Sequence, residues 1–248
     1  MIRTFRDFAT AFQFLTRLPL KRLPYDADAL SRSAKFFPLV GLFIGAIGSV
    51  TYLWLIHHLP SAVAALLTLA LIVLATGGLH EDGLADAADA FGGGWNREQI
   101  LAILKDSRIG TFGTLALLVS VGLRVLLFAN LPIGRFAAYV ISGQVLCRWT
   151  ALPLGYALPA ARESSGQGAR IARQISIGSL VIGSVFTAII VAYLLRWSLW
   201  RPVVSTLVVT IASGLYYRRR IGGVTGDCFG ATNQLAEIAV YLCGVWHP

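Results

Sequence analysis

Residues 79–95 read LHEDGLADAADAFGGGW, and Glu81, Asp82, Asp86 and Asp89 place four of the chain's 12 carboxylates in this one stretch. On a helix, Asp82, Asp86 and Asp89 fall within about a 60° arc, because positions i, i+4 and i+7 share a face. Gly83, Ala85, Ala87, Ala88 and Ala90 surround them and let another group approach the backbone. Like charges one turn apart repel by roughly a few tenths of a kcal/mol per pair in water, and by more beside lipid. A divalent cation removes that penalty. Hard carboxylate oxygens on a rigid helix suit Mg²⁺, with Mn²⁺ as the substitute, and phosphate oxygens can complete the shell. The plainer reading is a solvated helix end; the shared face at a membrane edge favours the metal. His80 points nearly opposite Asp82, and Glu81 lies about 100° from it. Neither joins the cluster unless the helix breaks at Gly77-Gly78, a pair that permits a break. His80 is then a candidate acid, base or phosphate donor, and equally an ordinary interfacial histidine.

Two further polar segments could serve the same chemistry. Gly92, Gly93 and Gly94 end the acidic helix, and Asn96 with Gln99 forms a capping pattern that starts a short one. That helix is apolar on one side and leads to Lys105, Asp106, Ser107 and Arg108. Lys105 and Arg108 on a turn are natural phosphate contacts, and Ser107 can add a hydroxyl; by itself the turn reads as solvated. The run GGVTGDCFGAT at 222–232 opens the final span. Its glycines, Gly223 and Gly226 among them, expose backbone N–H groups near a helix N-terminus, where anions are favoured. Asp106 and Asp227 are further candidate metal ligands. Arg124, Arg148 and Glu237 lie inside apolar segments, where a charge costs at least about 2.5 kcal/mol and usually faces the bundle interior. Arg148 and Glu237 fall in the half of their helices nearest the acids. Arg124 lies toward the other half, where snorkelling or a structural pair explains it.

These residues need a membrane scaffold. The chain of 248 residues is 56% hydrophobic and only 13% charged, about half the charge fraction of a soluble domain. Apolar runs near the roughly 20 residues that cross a bilayer fall at 36–56, 62–79, 112–131, 136–157, 175–195, 202–217 and 231–246. The last two are short, so the expectation is an all-α polytopic bundle of six or seven transmembrane helices. It forms a single domain over 1–248, with 1–35 as an interfacial N-terminal segment. Phe5, Phe8, Phe12 and Leu15 recur there at helical spacing, which suits a helix lying in the interface or one packed on the bundle.

Most of the 21 basic residues sort to one side: the seven before the first span, Arg97, Lys105 and Arg108, Arg162, Arg170 and Arg173, and Arg218, Arg219 and Arg220. This bias places the N-terminus in the cytoplasm and accounts for most of the +9 net charge without a nucleic-acid partner. Cys147, Cys228 and Cys243 have no disulfide or zinc spacing. P-loop and serine-hydrolase patterns are absent. Together the residues describe a cytoplasm-facing, metal-assisted phosphoryl-transfer site, with Asp89 as a candidate base and Lys105 and Arg108 taking up charge on the leaving phosphate.

LTRLP at 15–19, GGLHEDGLADAADA at 77–90, KDSRIGTFG at 105–113 and GGVTGDCFGA at 222–231 resemble the cobalamin synthase (adenosylcobinamide-GDP ribazoletransferase) family. The matches are collinear and run almost from end to end. Glu81 stands where that family has an apolar residue, so Glu81 is a doubtful ligand. The resemblance implies the last assembly step of the coenzyme B12 nucleotide loop, in a bacterial inner membrane. The substrates would be adenosylcobinamide-GDP and α-ribazole, or α-ribazole 5′-phosphate, with release of GMP and a requirement for Mg²⁺. By position it implies Asp82, Asp86 and Asp89 as metal ligands, and Lys105, Arg108 and the 222–227 loop as phosphate contacts, with Asp106 and Asp227 able to serve either role. Membrane lipid, other corrinoid-assembly enzymes and further copies of the chain are the expected neighbours. The rivals are a CDP-alcohol-type phosphotransferase acting on lipid alcohols, and a transporter with Arg124, Arg148 and Glu237 along its path. The residues alone do not place the corrinoid ring.

Overall fold

The computed structural model of the chain describes residues 2–18, 28–106, 108–161 and 175–246. Ser107, Arg162, Arg170 and Arg173 lie outside them. Among the described residues the structure is helical, and the one β feature is an isolated parallel bridge between Ala160 and Val224.

The chain begins with α1 (Ile2–Leu15) and a short α2 (Ala29–Ser33). Ala11 and Leu15 of α1 are buried, and Asp7 accepts a hydrogen bond from Lys35 Nζ at 2.9 Å and pairs with Arg32 at 3.4 Å. Phe12 and Phe14 meet Phe43 and Phe37. The amphipathic segment is therefore packed on the bundle, the second of the two expectations for it. The helices that follow are α3 (Phe37–Leu55), α4 (Ser61–Thr76), α5 (Leu79–Gly93), α6 (Arg97–Ile103), α7 (Thr111–Asn130), α8 (Ile133–Trp149) and α9 (Ala151–Ala157). Then come α10 (Ile177–Leu195), α11 (Trp200–Ile221) and α12 (Gly226–Val245). One buried apolar cluster draws on helices from α1 to α12.

Among the described residues, three helical stretches are long and apolar enough to cross a bilayer: Ala29–Leu55, Thr111–Asn130 and Ile177–Ser198. A fourth counts if α4 and α5 are taken as one span bent by 90°. Exposed Leu66, Leu74, Leu118, Leu126, Ile189 and Ile211 lie on these helices and on α11, as expected of surface solvated by lipid. The chain is an all-α membrane protein. α8 is one turn short of that length, α11 ends on three arginines, and α12 carries Asp227, Asn233, Gln234 and Glu237.

Two expected spans change shape. The 136–157 run is two helices meeting at Thr150, and the acidic helix does not continue the 62–79 span. α4 stops at Thr76, and Gly77 and Gly78 both take left-handed backbone (φ 69° each). Their amides bond back to Leu74 and Val73 carbonyls, the pattern in which glycine terminates a helix. A side chain at Gly77 would run into Arg17, whose own amide bonds the Ala75 carbonyl at 2.8 Å. The break turns α5 by 90° and lays it against α7 and α12. α5 then ends at Gly93, and Asn96 caps α6 by accepting from the Gln99 amide at 2.9 Å.

Candidate functional site

The crossing of α5 and α12 assembles the site. Gly83 and Gly230 face each other there. A Cβ on Gly83 would lie 3.1 Å from the Asp227 carbonyl and the Gly230 Cα, and one on Gly230 would lie 3.0 Å from the Gly83 Cα. Only hydrogens at both positions allow so close an approach, the small-residue contact common between membrane helices. It brings Asp227, at the start of α12, to the face of α5 that bears Asp82 and Asp86. Asp86 holds its proton up to about pH 6. Burial contributes most, followed by the charges of Asp82, Asp227 and Asp89. Four carboxylates thus share one electrostatic neighbourhood. The donor set is hard oxygen, and a cation would relieve its repulsion. Among the described residues, however, no three acidic, histidine or cysteine side chains form a ready-made metal shell.

Asp89 has other work. Its two oxygens accept the Gly110 amide at 2.7 Å and the Gly113 amide at 2.8 Å, so it caps the start of α7 from a neighbouring helix. This fastens the 105–110 turn beside the acidic face. On that turn Lys105 and Arg108 are exposed, and Arg108 grips both oxygens of Asp106 at 2.6–3.0 Å. These bonds hold the Asp106 carboxyl down at about 2. The carboxylates acting on Asp86 do not include Asp106.

A cleft of about 190 Å³ opens beside the acids, and His80, Asp82, Arg148, Gly226 and Asp227 all line it. Burial, then the charge of Arg148, pushes the His80 imidazole down to about 3, so it is neutral. Gly223 does not line the cleft. It packs against the Pro159 carbonyl, and Val224 exchanges amide bonds of 2.9 Å with Pro159 and Ala161. Arg97 donates to the carbonyls of Ile221 and Ala161 at 3.0 Å each, and Arg220 to that of Gly94 at 2.8 Å. The acidic helix, the 105–108 turn and the 222–227 loop therefore meet at one end of the bundle.

The family description cobalamin-5-phosphate synthase (CobS) matches residues 7–245. The chain belongs to the cobalamin-5-phosphate synthase family. It is 37% identical to the adenosylcobinamide-GDP ribazoletransferase of Leptospira interrogans, over 95% of this chain and 93% of the relative. The protein of the same name from Polaromonas is 36% identical, over 96% and 95%. That from Vibrio parahaemolyticus is 33% identical, over 95% and 90%. No solved structure matches significantly. The CDP-alcohol-type reading is not favoured by these matches.

In this member of the cobalamin-5-phosphate synthase family, the charges inside the spans close on one another. Arg124 is fully buried, donates to Glu81 at 2.9 Å and lies 3.8 Å from Glu237. Gln234 donates to Glu81 at 3.1 Å, and Gln144 joins Glu237 at 2.7 Å. Arg148 donates to Gln144 Oε1 at 2.6 Å. The Gly77-Gly78 break is what turns Glu81 toward Arg124. The role of Gln144 and Gln234 as linkers was not readable from the sequence, because a lone amide in an apolar helix gives no hint of its partner. Asn233 and the aromatic residues of the cleft, Phe14, Phe37 and Phe229, were missed for the same reason. Trp149 donates from Nε1 to the Ser184 hydroxyl at 2.8 Å.

Proposed function

We propose that the chain transfers the cobinamide-bearing phosphate of adenosylcobinamide-GDP to α-ribazole or α-ribazole 5′-phosphate. The ribose 3′-oxygen of the acceptor forms the new P–O bond. The bond to the GMP moiety breaks, GMP leaves with that electron pair, and the hydroxyl proton passes to a carboxylate of the cluster. The observation that carries this reading is the convergence of Asp82, Asp86 and Asp227 beside a cleft in a chain whose near full-length relatives bear the ribazoletransferase name.

Asp82, Asp86 and Asp227 would hold Mg²⁺, or Mn²⁺ in its place, with diphosphate oxygens completing a shell that protein groups do not complete alone. Bound there, the ion would supply charge neutralisation for the diphosphate. Asp89 keeps the 105–110 turn in register with the acids. Lys105 and Arg108 meet the departing phosphate, Arg108 leaving Asp106 to do so. Ser107 and Gly226 remain the adjoining phosphate contacts, whereas Gly223, packed against Pro159, serves the loop's structure instead. Neutral His80 serves as a hydrogen-bonding group rather than as the base, since a group with so low a proton affinity takes up no proton at neutral pH.

The enzyme acts as one domain of six or seven spans in the bacterial inner membrane, with its N-terminus and this site facing the cytoplasm, in contact with lipid. Copies of itself or other corrinoid-assembly enzymes are its proposed partners. The test is GMP release by purified protein in nanodiscs supplied with adenosylcobinamide-GDP, α-ribazole and Mg²⁺. Turnover is expected to vanish with EDTA, and in Asp82→Asn and Asp86→Asn, while both variants elute as folded protein. Near-normal turnover in both variants would reject the site; turnover with CDP-diacylglycerol instead would reject the reaction.

A further inference from the structure

The cleft beside the carboxylates is larger than phosphate chemistry requires, and most of its wall is apolar, with Phe14, Phe37, Leu79 and Phe229 contributing. Two buried polar side chains also line it: Arg148, 2% exposed, and Asn233, 4% exposed. Among the described residues, Arg148 Nε and Asn233 Oδ1 have no hydrogen-bond partner. The Arg148 guanidinium is held in place from its other side, where Nη1 donates to the Gln144 side chain at 2.6 Å and to the Gln144 carbonyl at 3.1 Å. A buried polar atom left unpaired costs about 1–3 kcal/mol, and both residues that carry one stand in the wall of this cleft, so an occupant toward which these side chains can turn recovers part of that cost. The occupant is flat and apolar, and it presents one acceptor to Arg148 and one donor to Asn233.

We propose that this cleft holds the acceptor, with its benzimidazole base among Phe14, Phe37 and Phe229 and its ribose toward Asp82 and Asp227. This rests on the ribazoletransferase reading above. A benzimidazole linked through one nitrogen is an apolar bicycle whose other ring nitrogen has a free lone pair, which the Arg148 N–H can meet. A ribose hydroxyl can donate to Asn233 Oδ1. Guanine could meet the same two side chains, but the departing GMP is placed over Lys105 and Arg108, and in-line displacement sets the attacking hydroxyl on the opposite side of the phosphorus, which leaves the cleft to the acceptor. A corrin macrocycle is too wide for about 190 Å³. The donor therefore lies outside, over the exposed Lys105–Arg108 turn, and the attacking hydroxyl comes from within.

The test uses full-length protein in nanodiscs and two variants. Ala151→Leu narrows the cleft from α9, where Ala151 lines it, without altering any charge. Asn233→Leu replaces the amide oxygen and nitrogen by two methyl groups on the same branched frame, removing the acceptor and adding modest bulk. The expected result is at least a tenfold rise in the KM for α-ribazole in Ala151→Leu. Binding of α-ribazole alone, read by equilibrium dialysis, should weaken by the same factor, and the KM for adenosylcobinamide-GDP should stay within twofold. Asn233→Leu should move the same two readings in the same direction, and it decides the matter if Ala151→Leu elutes as aggregate. Normal wild-type turnover with acceptor binding unchanged in the folded variants, or with the donor KM raised instead, overturns the cleft assignment alone. Wild-type protein that binds α-ribazole in an Ala151-dependent way but releases no GMP sustains the cleft and overturns the ribazoletransferase reading. Wild-type protein that neither binds α-ribazole nor releases GMP overturns both.

Discussion

Asp82, Asp86 and Asp89 sit at equivalent spacing on one helix, yet the fold gives them different tasks. Asp82 is exposed, Asp86 is half-buried with a raised proton affinity, and both oxygens of Asp89 are committed to the α7 amides. Spacing identified the set; it had no means of dividing the labour, because the partners of Asp89 lie more than twenty residues further on. Asp89→Ala should lower stability by about 1–2 kcal/mol, the usual loss on removing a helix cap, and Asp89→Asn by less, since one oxygen still accepts. Denaturant unfolding of the detergent-solubilised protein measures both. If Asp89→Ala unfolds normally but no longer responds to Mg²⁺, Asp89 is a direct ligand and its capping bonds are incidental.

Among the helices, the decisive event is the turn at Gly77-Gly78 followed by the α5–α12 crossing. Without the break, Asp82 and Asp86 would continue along the axis of α4, and Asp227 would stand apart from them. The glycine pair announced that a break was permitted. Its direction came from packing, with Arg17 against Gly77 and Gly83 against Gly230. Gly83→Val is expected to push α12 away and lower turnover at least tenfold while the protein still inserts and purifies. Gly83→Ala should show a milder loss, because the nearest atoms lie 3.1 Å from the added carbon and need yield only slightly. Equal and full activity in both variants would show that this close crossing does not align the carboxylates. Protease-resistant fragments of the two variants, compared with wild type, report whether the helices still pack.

For the molecule as a whole, charge and topology set two expectations. Asp86 has a folded-state proton affinity near 6 against an ordinary value of 3.8. Its contribution to stability is therefore full below about pH 3.8 and is lost as the pH rises through 6. His80 has the opposite sign. Held at about 3 against 6.5, it contributes fully above pH 6.5 and loses that contribution as the pH falls toward 3. A cation at the carboxylates opposes only the first effect. Mg²⁺ should thus raise the apparent Tm more at pH 7.5 than at pH 5, by about 2–4 °C for each kcal/mol of binding in a chain of this size. An equal response at both pH values would place the ion elsewhere.

The second expectation concerns sidedness. Cys147 and Cys228 are buried and Cys243 half-buried, so thiol labelling starts from a low background. Cysteine placed at Ser61 or Leu199 should label from outside intact cells. Cysteine at Asn96 should label only after the membrane is opened. The reverse pattern would turn the site to the outer face.

Composition and local spacing were enough to establish an all-helical membrane chain, the acidic face, the α6 cap and the motifs that carry the family resemblance, because each is written in residues close together along the chain. The placing of Asp227 beside Asp86, the Glu81–Arg124–Glu237 network and the aromatic cleft around Arg148 and Asn233 depends on contacts between helices far apart in sequence. Those follow from which small residues let two backbones meet, and from which buried charges must find a partner. Neither condition can be evaluated one helix at a time.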